Sequence, residues 1–289
     1  AARLAPDYAR LQVDLALAQQ DAFEEKIAAL EENAELDDEA ITAERERLTR
    51  VHLVPALRHY LRARDLCPLL GQPHLRIAEN VHSLDSADPA TDYLDRAKLL
   101  IPFDPELWYI CGVQELFDNQ PDKAWKSWRH SLELSDLYFP EIVRAGSAVL
   151  GTEGLLTQVL PEKPALLARA AELLYPNSED AAHREPLLSK AQALLRQRPP
   201  NQMDAEQWHI EAIIARSRKQ VPEAIDAYRA ALATRPTEVD WRYELADLLF
   251  QRGKIDESHR ELVTILRQRP DHTQARQLYE VVSRQKAVQ

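Results

Sequence analysis

Nine histidines and two cysteines have the best claim in this chain to metal or nucleophilic chemistry. Two histidines four apart on a helix, with a carboxylate nearby, would present a zinc-binding face. His52 and His59 stand seven apart and His74 and His82 eight apart, so neither pair has that spacing. Cys67 and Cys111 are too few for a disulfide scaffold or a four-cysteine zinc site. A helical reading puts Cys67 at the close of one helix and Cys111 inside another two units later, too far apart to bond without distortion. Each reads as a small core residue. There is no Gly-x-Ser-x-Gly elbow and no P-loop, and the 6 glycines are too few for a Gly-rich phosphate cradle. Paired carboxylates are abundant, but on helices they mostly make solvated faces. The expectation is therefore no catalytic residue, no metal and no cofactor.

The elements that would carry any site are bounded by composition. At 289 residues, two domains or one elongated array is expected. Hydrophobic residues make up 45% and charged residues 29%, enough to bury a core. No apolar run reaches the roughly 20 residues of a membrane span. A formal net charge of −11 argues against a nucleic-acid partner, which needs a basic face. The chain opens Ala1-Ala2-Arg3 without a methionine or a signal-peptide pattern, which reads as a piece of something longer.

A period of 34 residues organises the rest. Pro68 and Pro102 are 34 apart, as are Pro236 and Pro270. Ala56, Tyr60, Ala63 and Pro68 recur as Ala90, Leu94, Ala97 and Pro102, then as Ala124, Trp128 and Ser131 with Asp136 in the proline's place. Ala224, Tyr228, Ala231 and Pro236 repeat the spacing, followed by Ser258, Leu262, Ile265 and Pro270. Positions four and then three apart share a helix face. Two small residues let a neighbouring helix approach, a large one fills the gap between them, and the proline stops the helix. Pro55, Pro89, Pro121 and Pro222 fall where these second helices would start, as suits proline in a first turn. Trp108, Cys111, Gly112 and Leu116, then Trp208, Ala212 and Ala215, then Leu245, Ala246 and Leu249 mark the first helices, and Gly253 supplies a turn.

These residues resemble the tetratricopeptide repeat (TPR), whose 34-residue pattern runs Trp-x2-Leu-Gly-x2-Tyr, Ala-x3-Phe and Pro. Residues 205–238 carry Trp208, Ala212, Ala224, Tyr228, Ala231 and Pro236 in register; 239–272 moves the tryptophan one place early, to Trp241, and 105–138 lacks the final proline. The resemblance implies an all-α fold, an alpha-alpha superhelix or TPR-like solenoid, with a concave groove lined by first helices. Inward positions would be Gln72, Leu75, Glu79 and His82, then Glu106, Tyr109, Val113 and Leu116 with Phe117 adjacent. Glu206, His209, Ile213 and Arg216 follow, then Asp240, Tyr243, Asp247 and Phe250. The lysine–asparagine–arginine clamp that some TPR proteins use for chaperone tails is absent. The lining is apolar, aromatic and acidic, suited to an extended or helical segment with apolar anchors and positive charge. Trp108, Trp128, Trp208 and Tyr228 occupy packing positions of the motif.

Four regions are expected. Residues 1–50 form an acidic N-terminal helical cap. Leu4, Tyr8, Leu11, Leu15 and Ala18 make an amphipathic stripe continued by Phe23, Ile27 and Leu30, with a hairpin turn near Asn33. Residues 21–50 hold 11 acids and 4 bases, so most of the net charge sits there. A polar terminal cap keeps a repeat array soluble; a self-associating arm is the other reading. Residues 51–136 and 204–289 are TPR-like repeats, the latter closed by a capping helix. Residues 137–203 read as two degenerate repeats. In them Gly146 holds a small position, a helix ends at Pro161, another runs from Pro164 to Leu174 with Ala171 at its small position, and Ser178 is an N-cap. Leu187, Ala191 and Leu194 mark the next helix, closed by Pro199-Pro200-Asn201.

A narrower resemblance rests on His59-Tyr60-Leu61-Arg62-Ala63-Arg64-Asp65-Leu66-Cys67-Pro68-Leu69, His74 to Glu79, Tyr93 to Ala97, Ile101 to Asp104 and Trp125 to Arg129. It is similar to the soluble TPR region following the membrane spans of some bacterial O-antigen ligase-like proteins. That implies an accessory region attached to a membrane protein of cell-surface polysaccharide assembly, with a glycan or membrane-protein complex as partner and no catalytic residue in this chain. The leading expectation is a non-enzymatic scaffold that binds a protein or peptide segment; the accessory region and self-association through 1–50 are the alternatives.

Overall fold

The computed structural model describes residues 8–32, 37–84, 89–197 and 202–288. Leu4, the turn near Asn33 and the closing Pro199–Asn201 lie outside them. Among the described residues the chain is all-α, with no strand. It divides into two compact units, Ala1–Ile142 and Val143–Gln289.

In the first unit α1 (Ala9–Glu31) packs along α3 (Val54–Leu66). α2 (Asp38–Leu48) runs without a break through one π-helical turn, Thr49–Leu53, into α3. Residue 50 therefore lies inside a continuous helical run. The pairing is antiparallel: Arg45 meets Glu31 at 2.7 Å, and His59 Nδ1 meets Gln12 Oε1 at 2.6 Å. The buried face of α1 is not the expected Tyr8–Leu11–Leu15–Ala18 stripe. Tyr8 and Ala18 are exposed, while Gln12, Val13, Ala16 and Gln20 are buried. Two glutamines tolerate burial because their amides are bonded across the hairpin, Gln12 to His59 and Gln20 to the Tyr60 hydroxyl at 3.0 Å.

α4 (Gly71–Glu79) pairs with α5 (Ala90–Leu100), and α6 (Pro105–Phe117) with α7 (Pro121–Leu134). Ser131 Oγ donates to the Pro105 carbonyl at 2.8 Å and Ser127 Oγ to Glu115 at 2.7 Å, which fixes α6 and α7 antiparallel. Between these bonds the Trp128 indole N–H donates to the Tyr109 carbonyl at 3.1 Å. The side chain of Asp104 caps α6 at the Glu106 amide, and prolines occupy the first turns of α3, α6 and α7 and of the later helices Pro164–Leu174 and Val221–Thr234. The small–large–small positions form the core: Ala56, Tyr60, Ala63, Leu94, Ala97, Ala124, Trp128 and Ser131 are all buried. Trp108 is half-buried, with its N–H on the Pro102 carbonyl at 2.7 Å. The period also reaches the surface, since Leu69, Phe103 and Leu137, 34 apart, are all exposed just past a helix end.

The boundary between the units falls within α8 (Phe139–Gly154), which is kinked at Gly151, φ +65°, and followed by a π-turn, Leu155–Val159. Gly146 has the close neighbour expected of a small position: a Cβ there would come 2.9 Å from Leu155 Cδ1. α9 (Pro164–Leu174) pairs with α10 (Ala181–Leu195), with Ala171 buried between them. The cap of α10 is Asp180, not Ser178, because a 3-10 turn over Ser178–Asp180 precedes the helix. α11 (Ala205–Ser217) starts with a capping box, Asp204 to Gln207, and pairs with α12 (Val221–Thr234). α13 (Val239–Gln251) pairs with α14 (Ile255–Gln268), and α15 (Thr273–Val288) packs on both. Ser258, buried at a small position, donates to the Ala246 carbonyl at 2.8 Å.

Candidate functional site

In the first unit α6, the end of α4 and the 3-10 turn Val81–Ser83 after it carry five of the expected groove residues into one pocket of about 440 Å³. Glu79, His82, Tyr109, Val113 and Phe117 line it, together with Ile110 and Gln114. They converge because α4 and α6 lie 34 residues apart in the repeat frame and present equivalent faces. Phe117 is 82% exposed, an unusual state for a phenyl ring beside an apolar pocket. Leu116 is half-buried and does not line the pocket. Leu75 is a correction: it is buried in the core and cannot meet a partner. Its position falls on the side of α4 that packs on neighbouring helices, so the repeat frame placed it one face away.

Tyr138 and Arg76, which the frame did not single out, brace Tyr109, Glu79 and Glu106 from behind. Tyr138, in the turn after α7, stacks on Tyr109 with ring centroids 4.4 Å apart and planes 2° from parallel. Arg76 grips Glu106 with two bonds of 2.8 Å and reaches Glu79 at 3.1 Å. Burial pushes the Tyr138 hydroxyl up to about 12, and the neighbouring Glu106 charge adds to it. The Glu79 side chain is 36% exposed at the rim, yet burial pushes its carboxyl upward despite Arg76. The pocket thus combines a rigid aromatic wall, an exposed phenyl ring and a carboxylate.

In the second unit several of the remaining candidates are engaged with one another and with neighbouring side chains. His209, Arg216 and their neighbours close on each other. His209 stacks on Trp241, 4.5 Å between centroids, and its Nε2 lies 2.9 Å from Glu244, where the imidazole N–H donates. Tyr228 donates to the same carboxylate at 2.8 Å, and Arg216 bonds Glu172 at 2.5 Å and lies 3.7 Å from Glu244. Burial alone would raise the Glu244 carboxyl. The His209 bond and charge, the Tyr228 hydroxyl and the Arg216 charge outweigh it and hold the group below its ordinary range. Ile213 is buried, a second correction, since its side chain is turned away from solvent. Tyr243 faces His272 at 5.5 Å, Asp247 accepts from Gln251 at 2.7 Å, and Phe250 packs on the core of α13 to α15. Glu172 and Glu244 were not visible as site residues, because the partners are 44 and 35 residues apart and follow no fixed offset.

Cys67 and Cys111 are both free. Cys111 is buried, and burial pushes its thiol up to about 12, against the pull of Lys98. His74 is buried with Nε2 on the Pro68 carbonyl at 3.1 Å, and burial lowers its pKa. Among the described residues no group of three His, Cys, Asp or Glu is placed to hold a metal, and no helix is long and apolar enough to cross a membrane.

Residues 215–281 match the tetratricopeptide repeat family model. No curated protein matches the chain. Among solved structures it is similar to yeast Tom70, at 15% identity and TM-score 0.42, over 97% of this chain and 65% of that one. It is also similar to the APC/C hetero-tetramer Cut9-Hcn1, at 16% identity and TM-score 0.41, over 84% of this chain and 51% of that one. A third is YrrB, described as a TPR protein with an unusual peptide-binding site, at 15% identity and TM-score 0.35, over 76% of this chain and 97% of that one. The chain thus spans less than two thirds of the first two. None of these matches supports the narrower resemblance to O-antigen ligase-like proteins.

Proposed function

We propose that this chain is a non-enzymatic protein-binding scaffold. Its first unit docks an extended or helical peptide segment at the pocket of Glu79, His82, Tyr109, Val113 and Phe117. The observation that carries the reading is the pairing of an 82% exposed Phe117 with a pocket of about 440 Å³ that Tyr109 walls. An apolar side chain of the segment fills the pocket and covers Phe117, while a lysine or arginine beside it meets Glu79. The aromatic wall is held in advance by the Tyr138 stack and the Arg76 bonds, so little ordering is left to the binding step.

Peptide display on the immobilised chain tests this. Selected sequences are expected to share an apolar anchor within four residues of a basic one. Their affinity should fall roughly 30-fold in Phe117→Ala or Tyr109→Ala, as for a buried anchor of about 2 kcal/mol. Selected peptides that bind both variants as tightly as the parent would remove the site.

A further inference from the structure

Two pockets of the second unit, of about 360 and 270 Å³, share Arg184, Ser217 and Lys219 as lining. The other charged groups on their walls are already paired. Arg216 bonds Glu172 at 2.5 Å, and Arg218 bonds Glu185 at 2.6 Å. Lys219 is not, and Arg184 is reached by the Glu185 charge without a hydrogen bond to it. Arg184 is only 8% exposed, and its one side-chain hydrogen bond among the described residues is Nη1 to the Tyr175 carbonyl at 3.2 Å. A guanidinium offers five N–H donors, so most of them remain available to an acceptor that enters the pocket. Lys219 is exposed in the turn after α11, with its backbone at φ +62° and its N–H on the Arg216 carbonyl at 2.9 Å. Its ammonium and the Ser217 hydroxyl have no hydrogen-bond or ion-pair partner among the described residues.

Donors without acceptors, converging on one space, define the ligand by what they lack. The walls carry Arg184, Arg216, Arg218 and Lys219 against Glu172 and Glu185, an excess of two positive charges, which with the Ser217 hydroxyl suits an oxyanion of two negative charges, and a guanidinium fork suits adjacent oxygens on one centre. We propose that Arg184, Lys219 and Ser217 form a binding site for a phosphomonoester dianion. The joined pockets have room for the group the phosphate is attached to. The phosphate reaches the site as the free ion or on a phosphorylated side chain, with the same chemistry either way. This site is independent of the peptide pocket in the first unit.

Calorimetric titration of the full chain at constant ionic strength tests it, with inorganic phosphate, phosphoserine and acetate as probes. Phosphate and phosphoserine are expected to bind and acetate at least tenfold more weakly. Lys219→Met, an exposed position, should fold as the parent does in chloride and weaken phosphate binding roughly tenfold or more. Arg184→Gln should weaken it further. Tighter binding of phosphoserine than of inorganic phosphate identifies a carried phosphate, and the reverse order a free one. No heat from either phosphate probe, acetate binding as tightly as phosphate, or unchanged affinity in Lys219→Met would overturn the site.

Discussion

The Trp128 indole fills the space that a side chain on Gly112 would need: a Cβ there would overlap indole Cδ1 and Nε1. The glycine lets α7 bring the Trp128 indole close against α6. Gly112→Ala should therefore destabilise the chain by about 1–3 kcal/mol through overpacking. The urea midpoint should fall. Gly253→Ala is the comparison, since that position has open space but φ +72°, and about 1–2 kcal/mol of backbone strain is expected there instead.

Phe117 and Trp128 separate docking from packing. Phe117→Ala should change stability by no more than about 0.5 kcal/mol, as for an exposed position. Trp128→Ala should cost about 3–5 kcal/mol. Denaturant curves of both variants give the answer. A large loss in Phe117→Ala would show that the ring packs within the protein and is not kept free for a partner.

Glu244 links the second unit to pH. Its carboxyl is held below the ordinary 4.5 in the folded chain. Just below pH 4.5 the unfolded chain therefore binds protons that the folded one refuses, and stability falls as pH falls. Its contribution is complete above that value and lost as pH drops through the folded pKa. Glu244→Gln should destabilise most at pH 7, and its gap from the parent should shrink towards pH 3. A gap that stays constant with pH would show that the charge is not what matters.

Cys111 should be silent to thiol reagents. With its pKa pushed up to about 12 and no exposed surface, it carries almost no thiolate at pH 8. A colorimetric thiol assay on Cys67→Ser should find no reactive thiol in the native chain and one after denaturation. Reaction at the native rate of a free thiol would contradict the packing of α6.

The helix pairs were legible because prolines and small residues recur every 34 positions, and that period is imposed by stacking. The same frame placed Glu79, His82, Tyr109 and Val113 on one face, and these line one pocket, where Phe117 takes part in place of the framed Leu116 beside it. It failed at Leu75 and Ile213, where one residue of rotation turns a side chain into the core. It failed also on α1, where hydropathy favoured leucines over Gln12 and Gln20. A glutamine looks solvent-seeking until its partners His59 and Tyr60, more than 39 positions away, are known. The Glu172–Arg216 link and the Arg184–Lys219 pair start in the irregular middle, whose offsets follow no period, and the His209–Glu244 link joins two regular repeats through side-chain reach that spacing alone does not give.

Asp38 to Leu66 is one uninterrupted rod with a single wide turn at Thr49–Leu53. A protease or shortened gene that removed the opening residues up to 50 would not trim an appendage. It would sever that rod in mid-course and leave Tyr60 without the amide that seals its hydroxyl. The acidic start of the chain is part of the foundation on which the first repeat stands.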